Sequence, residues 1–318
     1  MAYGQEVRWV IPGRKRRVLA LTDLHFCSRN VGCKVDMILE RLCEFCRAEQ
    51  IEYIFVLGDS INSLEVLQDE RVRAGVERFL QDLAELAPVL MITGNHDITY
   101  YDLGPHRGVM RAAEWQQWAK SLMRRNQRIR LLDAALGKEK EIFDDGMMRV
   151  LGMSLPEKCY TMVSKREQAS AKTFQEYARR VLPELTRVKD REYYLLVHTP
   201  QFLNQVELDP RIVVLAGHMH NGMLPPLLDG ITRFSDRGLV GPGYYNQRGR
   251  KVRLIPFASG ARYRPRPERS WLAVNSCAHW PAESWLRVLD GFYPQLSYVV
   301  IEDGLKMSVT SQYFWLKL

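Results

Sequence analysis

Short apolar runs, each closed by a polar block, constrain this chain more than any other feature of its sequence. Arg17 to Thr22 reads RVLALT and runs into Asp23-Leu24-His25. Tyr53 to Leu57 (YIFVL) runs into Gly58-Asp59-Ser60, and Pro88 to Thr93 (PVLMIT) into Gly94-Asn95-His96-Asp97. Further on, Tyr193 to Val197 ends in His198-Thr199-Pro200, and Ile212 to Ala216 ends in Gly217-His218-Met219-His220. Apolar runs of about five residues bounded by turn formers suit buried strands. Between the first three lie segments of helical period, Val35, Ile38, Leu39, Leu42 and Phe45, then Val72, Val76, Phe79, Leu80 and Leu83. This β-α-β-α-β rhythm predicts helices packed on a sheet.

Beyond it, a helix is expected around Val109 to Met123, with Trp115, Trp118 and Leu122 on one face. Short strands are expected near Ile129 to Leu132 and Met148 to Gly152, and a helix is marked by Phe174, Tyr177, Ala178 and Val181. From about Gly222 the texture changes. Gly, Pro and Arg become frequent, and only Trp271 to Val274, Leu296 to Ile301 and Met307 to Tyr313 look strand-like. With no internal repeat and no clear linker, residues 1–318 read as one domain, with 221–270 a Gly/Pro/Arg-rich loop region near the strand-end blocks.

Composition narrows the class. A chain of 318 residues that is 46% hydrophobic can bury a sizeable core and is too apolar for disorder. Its longest apolar runs are about a quarter of the ~20 residues a spanning helix needs, and no stretch of signal-peptide length opens the chain, so a cytoplasmic location is expected. Six cysteines do not make a disulfide framework. Cys43 and Cys46 form a CxxC, but they share helical spacing with Leu42 and Phe45, so a buried helix face is the expectation rather than a redox or zinc site. A net charge of +8 suits anionic partners: phosphate esters, nucleic acid or an acidic membrane surface.

The polar blocks all stand at the carboxyl ends of strand candidates, where open α/β sheets place their sites. Taken singly, each reads as a turn. Together they hold five of the seven histidines, and the two histidines of the His-x-His block point to one side of an extended chain. The donors are Asp23, Asp59, Asn95, His25, His198, His218 and His220. Mixed oxygen and nitrogen ligation without thiolate suits Mn, Fe, Zn, Co or Ni rather than Ca. Seven donors exceed one tetrahedral site but suffice for two divalent ions sharing a carboxylate. Two such ions, less two aspartates and a hydroxide, leave a charge near +1 that draws an anion with oxygens to coordinate. Paired ions clamp the attacking and leaving oxygens of an in-line displacement, so a phosphate ester is the expected substrate.

These residues resemble the calcineurin-like metallophosphoesterase family. Its pattern of D-x-H, GD, GNH[D/E], a lone H and GHxH stands here as DLH at 23–25, GD at 58–59, GNHD at 94–97, His198, and GHMH at 217–220. The resemblance implies a four-layer α/β/β/α sandwich of two mixed sheets. It also implies a metal-bridging hydroxide attacking the phosphorus of a phosphomono- or diester. The implied ligand split gives one metal Asp23, His25, Asp59 and His220, and the other Asp59, Asn95, His198 and His218. His96 is then the histidine not spent on metal. The resemblance places it near the leaving group with Asp97 behind it, where a protonated imidazole would stabilise the transition-state oxygen or protonate the leaving alkoxide.

The block after GHMH is similar to that of bacterial members cleaving UDP-diacylglucosamine-type phosphoanhydrides, although Asn221-Gly222-Met223 stands where those commonly read Gly-Gly-Gln. Leu224-Pro225-Pro226-Leu227-Leu228, Tyr244, Tyr245 and the cations Arg248, Arg250, Lys251 and Arg253 could form an apolar lip with a basic rim. Such a rim suits an amphiphilic phosphoester or peripheral contact with an acidic membrane surface. Two alternatives stand beside the hydrolase. A nuclease for DNA or RNA would draw on the stretch from Arg248 to Arg269 as part of a basic groove. A non-enzymatic scaffold would require lost ligands, and none of the seven is missing.

Overall fold

The structure is a computed structural model, and it describes residues 2–28, 31, 33–100, 110–132, 142–153, 164–198, 208–209, 211–217, 243–246, 251–253, 270–273, 296–306 and 308–316. Fourteen strands among these residues form two seven-stranded sheets. In chain order they are β1 (Ala2–Ile11), β2 (Val18–Leu21), β3 (Tyr53–Val56), β4 (Val89–Met91), β5 (Ile129–Leu131), β6 (Ile142–Asp144) and β7 (Met148–Met153), then β8 (Glu192–Val197), β9 (Ile212–Ala216), β10 (Gly243–Asn246), β11 (Lys251–Arg253), β12 (Ser270–Ala273), β13 (Leu296–Asp303) and β14 (Ser308–Leu316). The α-helices among the described residues are α1 (Cys33–Ala48), α2 (Glu70–Leu86), α3 (Ala112–Arg125) and α4 (Ser164–Leu185).

The first sheet runs β14-β1-β13-β2-β3-β4-β5, and the second β11-β10-β12-β9-β8-β7-β6. Both are mixed. β2 to β5 are parallel while β13 lies antiparallel to β2. β7, β8, β9 and β12 are parallel, and β6 and β10 are antiparallel to their neighbours.

Three apolar clusters separate four layers, and the strands show why. Side chains alternate across a sheet with period two. Leu19, Leu21, Ile54, Val56, Val89 and Met91 face α1, α2 and α3 in one cluster. Ala20, Phe55, Leu57, Leu90 and Ile92 face the other way, onto Met148, Val150, Tyr194, Leu196, Val213 and Leu215 of the second sheet. Tyr193, Leu195, Val197, Ile212 and Val214 then turn outward onto Ala178, Val181, Leu182 and Leu185 of α4. These strands are buried on both faces, so they read in sequence as continuous apolar runs. The expected α/β/β/α sandwich of two mixed sheets is the observed fold.

The helices form where amphipathic spacing and capping agree. Asp69 caps α2 by accepting from the Arg71 and Val72 N–H groups at 3.0 and 3.2 Å, which satisfies donors that have no partner within the helix. Cys46 is buried in α1, and burial pushes its thiol up to about 12, which disfavours the thiolate. At the end of the sandwich where β2 and β3 begin, Asp145 joins the sheets, accepting from Tyr53 Oη at 2.9 Å and Arg16 Nη2 at 3.0 Å.

Three elements depart from the sequence reading. β1 was not expected, although Val7, Trp9 and Ile11 alternate and are buried, a period-two signal that could have found it. β6 is also additional, paired to β7 as a hairpin. The 221–270 region is not purely loop, because β10 and β11 pair with each other and β10 with β12. Strands of three or four residues gain their stability from the neighbour they pair with, and no local pattern encodes that neighbour. The other residues of 221–270 lie outside the described set, as do the side chains of Tyr244 and Tyr245.

Phe55 is fully buried between the sheets, its ring 5.4 Å from that of Tyr194. Phe55→Ala is expected to lower stability by about 3–5 kcal/mol, read as a lower urea midpoint at unchanged slope. A midpoint within error of the parent would show that the sheets do not pack through this pair.

Candidate metal centre

The polar blocks meet because the loops that carry them are bonded to one another. The Asp23 N–H donates to the Gly58 carbonyl at 3.0 Å, the His25 N–H to the Asp59 carbonyl at 2.9 Å and the Phe26 N–H to the Ser60 carbonyl at 3.0 Å. This zipping continues the β2–β3 pairing into the loops, at a cost in backbone geometry. Asp23, His25 and Asp59 all take left-handed conformations, with φ of 53°, 47° and 51°. Non-glycine residues held there cost about 1–3 kcal/mol each and cluster at functional sites. The loop after β4 presses in equally closely. A Cβ on Gly94 would run into the Asp59 carboxylate and backbone nitrogen. Only glycine permits that approach.

Asp59 is the meeting point. Its carboxylate has no solvent exposure. Oδ1 accepts from the His96 backbone N–H at 2.8 Å. Oδ2 lies 3.1 Å from His198 Nε2 and 3.7 Å from His25 Nε2. His25 Nε2 is in turn 3.8 Å from Asp23 Oδ1, and His198 Nε2 is 3.0 Å from Asn95 Oδ1. Two groups of donor atoms include Asp59, one with Asp23 and His198 and one with His25 and His96, and neither is the set that the resemblance assigns to a single metal.

Donors bound about 2.0–2.2 Å from a divalent ion stand roughly 3–3.6 Å apart. The His198, Asn95 and Asp59 atoms have that spacing, and the His25 and Asp23 atoms lie slightly wider. Carboxylate, amide and imidazole donors with no thiolate match a divalent transition metal. The residues present thus fit the metal centre that their pattern implies.

Second contacts aim these groups. Thr22 Oγ1 donates to Asp23 Oδ2 at 2.7 Å, leaving Oδ1 toward His25. His198 Nδ1 lies 2.8 Å from the Leu57 carbonyl. A carbonyl only accepts, so Nδ1 carries a proton and Nε2 is the nitrogen turned into the site. Burial alone would raise the Asp59 carboxyl, but the imidazoles of His198, His96 and His25 hold it well below the usual carboxylate range. Burial would lower His198, yet Asp59 and Asp23 bring it up to about 9. A centre of clustered carboxylates and imidazoles is therefore strongly polarised even before any cation is considered.

Asp97 requires a correction. It does not stand behind His96. Its two oxygens accept from the backbone N–H groups of Gly94 at 2.8 Å, Asp59 at 2.9 Å and Ile61 at 3.2 Å. Burial and the Asp59 charge push its carboxyl up to about 8, against the N–H groups that favour the charged form. The partner of the His96 ring is instead the Asn62 carbonyl, 2.6 Å from Nδ1. His96 and Asp97 occupy a short 3₁₀ turn, His96–Ile98, where successive side chains point about 120° apart. Adjacent residues there cannot stack one behind the other. Asp97 ties the Gly58-Asp59 and Gly94-Asn95 turns together, and the His96 ring lies edge-on to His25 with centroids 4.5 Å apart.

The structure thus brings together Asp23, His25, Asp59, Asn95, His96, Asp97 and His198. His218 and His220 lie outside the described residues. The residue before them, Gly217, is described, and a Cβ there would meet Thr22 Oγ1 and lie 3.1 Å from Asp23 Oδ2, so β9 ends against the same carboxylate. The sequence reading missed Thr22, legible as the hydroxyl beside Asp23. It also missed the carbonyls of Leu57 and Asn62, for which no side-chain signal exists.

The profile of the calcineurin-like phosphoesterase family matches residues 16–222, more than half of the chain and all of the strand-end blocks. No curated protein matches the chain at a significant level. Among solved structures it is similar to TT1561 of Thermus thermophilus, with 15% identity, 75% of this chain and 97% of that chain covered, and a TM-score of 0.40. It is also similar to a dimetal phosphatase from Danio rerio, with 11% identity, 95% and 99% covered, and a TM-score of 0.40. The nuclease MPE of Pseudomonas putida shares 14% identity over 84% of this chain and 81% of that one, with a TM-score of 0.32. These distant likenesses say nothing of substrate, and the family rests on the profile match and its residues. The chain belongs to the calcineurin-like phosphoesterase family.

Proposed function

We propose that this protein is a hydrolase of phosphoric mono- or diesters that works through two divalent ions sharing Asp59. The observation that supports the reading is the position of Asp59, whose buried carboxylate lies 3.1 Å from His198 Nε2 and 3.7 Å from His25 Nε2. On this reading Asp23, His25 and Asp59 hold one ion, and Asp59, Asn95 and His198 the other. His220 and His218 complete the two sets, as the family pattern implies. Bound ions would supply Lewis acidity for the phosphoryl oxygens and lower the pKa of a water. Mn, Fe and Zn fit the donors, as do Co and Ni.

The chain's own residues do the rest. Thr22 and the Leu57 carbonyl hold Asp23 and His198 in their coordinating orientations, so little reorganisation accompanies reaction. The Asn62 carbonyl orients the His96 ring through Nδ1. In its protonated form His96 would stabilise the developing negative oxygen or pass its second ring proton to the leaving group. Asp97 acts through the backbone, holding the two turns at the spacing that Asp59 and Asn95 need. Exclusion of bulk water from Asp59 and His198, both without exposure, strengthens each of these interactions.

The net charge of +8 favours an anionic substrate. The apolar lip at Leu224 to Leu228 and the Arg248 to Arg269 stretch, which would separate an amphiphilic ester from a nucleic acid, lie outside the described residues apart from the backbone of Lys251–Arg253. Kinetics on a soluble diester, an amphiphilic diester and single-stranded DNA decide among these substrates. No helix among the described residues is long and apolar enough to cross a membrane.

Metal analysis is the first test. The protein purified without chelator is expected to hold about two divalent equivalents, and His198→Ala about one, with activity on bis-p-nitrophenyl phosphate lost. A protein that cannot be loaded with metal, or full activity in His198→Ala, would overturn the dinuclear reading.

His96→Ala separates ligand from catalyst. It is expected to keep its metal and lose about 10²–10⁴-fold in kcat, with a smaller loss for esters of good leaving groups if His96 is the proton donor. Equal loss across leaving groups leaves charge stabilisation as its role, and loss of metal would make it a ligand.

A further inference from the structure

The short turn His96–Ile98 closes on itself weakly. Its own bond runs from the Ile98 N–H to the Asn95 carbonyl at 3.4 Å, longer than the roughly 2.7–3.2 Å of an ordinary N–H···O bond. A second donor reaches the same carbonyl. Thr99 Oγ1 lies 2.6 Å from it, and Thr99 is buried. The Thr99 carbonyl accepts in turn from the Leu64 N–H at 3.0 Å and from Ser63 Oγ at 3.3 Å. Those residues follow Asn62, whose carbonyl meets the His96 ring. Thr99 therefore touches both stretches of chain that hold His96. It is anchored from α3. Thr99 forms an antiparallel bridge with Met110, and the Arg111 N–H donates to the Ile98 carbonyl at 2.7 Å. At the other end of the segment, Trp115 Nε1 of α3 donates to Thr93 Oγ1 at 2.9 Å, with both side chains without exposure.

We propose that Thr99 is a positioning residue, whose hydroxyl sets the peptide group between Asn95 and His96 and through it the side chains of both. The role rests on the dinuclear reading given above. The Asn95 carbonyl and the His96 N–H belong to one planar peptide unit. Thr99 binds its carbonyl end, and Asp59 Oδ1 accepts from its N–H end at 2.8 Å. Two bonds at opposite ends of a rigid plane fix its orientation, whereas one bond leaves it free to rotate. The Asn95 side chain leaves the Cα on one side of that plane and reaches His198 Nε2 at 3.0 Å. The His96 side chain leaves the Cα on the other side and reaches the Asn62 carbonyl at 2.6 Å. A rotated peptide would move both groups at once. Valine keeps the branched shape of threonine but cannot donate, and serine keeps the donor without the methyl group.

Amide hydrogen exchange on the full chain after chelation tests the role without metal. Thr99→Val is expected to speed exchange at the His96 and Ile98 amides about tenfold and to leave the β3 and β4 amides unchanged. In the metal-loaded protein it is expected to lower kcat on bis-p-nitrophenyl phosphate about 10–100-fold with KM little changed, and Thr99→Ser is expected to restore both readouts. A Thr99 that served stability alone would speed exchange through both sheets and leave kcat per bound metal as in the parent. That pattern, unchanged exchange at the two amides, or a serine variant no better than the valine one would each overturn the proposal. A parent that takes up no metal overturns the dinuclear reading instead, and the exchange rates then decide for Thr99 by themselves. If Thr99→Val does not fold, Thr99→Ser against Thr99→Ala makes the same comparison, and equal exchange and equal kcat in those two overturn the role.

Discussion

A carboxylate without solvent exposure is costly unless opposite charge or hydrogen-bond donors surround it, and the active end of this protein is arranged around one such group. Asp59 draws on every neighbouring strand end. His25 comes from the loop after β2, the His96 N–H from the loop after β4, and His198 from the end of β8. The left-handed backbone at Asp23, His25 and Asp59 is a consequence. Three strand ends converge on one carboxylate within 3.7 Å, and the extended backbone that leads into them has to turn abruptly. The sandwich supplies the apolar burial that offsets this strain.

The two sheets contribute different parts of that centre. Asp23, His25, Asp59 and Asn95 belong to the first sheet, while His198 belongs to the second. The hydrogen bond from His198 Nδ1 to the Leu57 carbonyl crosses between them, just beyond the Phe55–Tyr194 packing. Sheet-to-sheet registration and metal-site geometry are thus one constraint. A site divided between layers is only as well positioned as the core beneath it, so core substitutions at Phe55 or Tyr194 bear on the chemistry as well as on stability.

Much of this was legible in the chain. Buried strands announced themselves as continuous apolar runs because they are covered on both faces, and the functional blocks were visible because a parallel strand ends where its loop can reach a ligand. β1 was equally legible through Val7, Trp9 and Ile11 and was overlooked in favour of longer runs. β10 and β11 were not legible, because a strand of three or four residues exists through its partner. The place of Asp97 behind His96 came from the family resemblance, and the backbone N–H groups that its carboxylate serves have no mark in the sequence.

The sequence by itself determined the alternation of strands and helices and the position of each strand-end block with its polar residues, because periodicity and residue type are local properties of the chain, while the four-layer order came from the family resemblance. Tertiary structure alone decided which atoms surround Asp59, that Asn62 and Leu57 act through their carbonyls and that Asp97 serves the backbone. Those facts depend on distances between segments far apart in the chain, and on backbone groups that every residue carries alike.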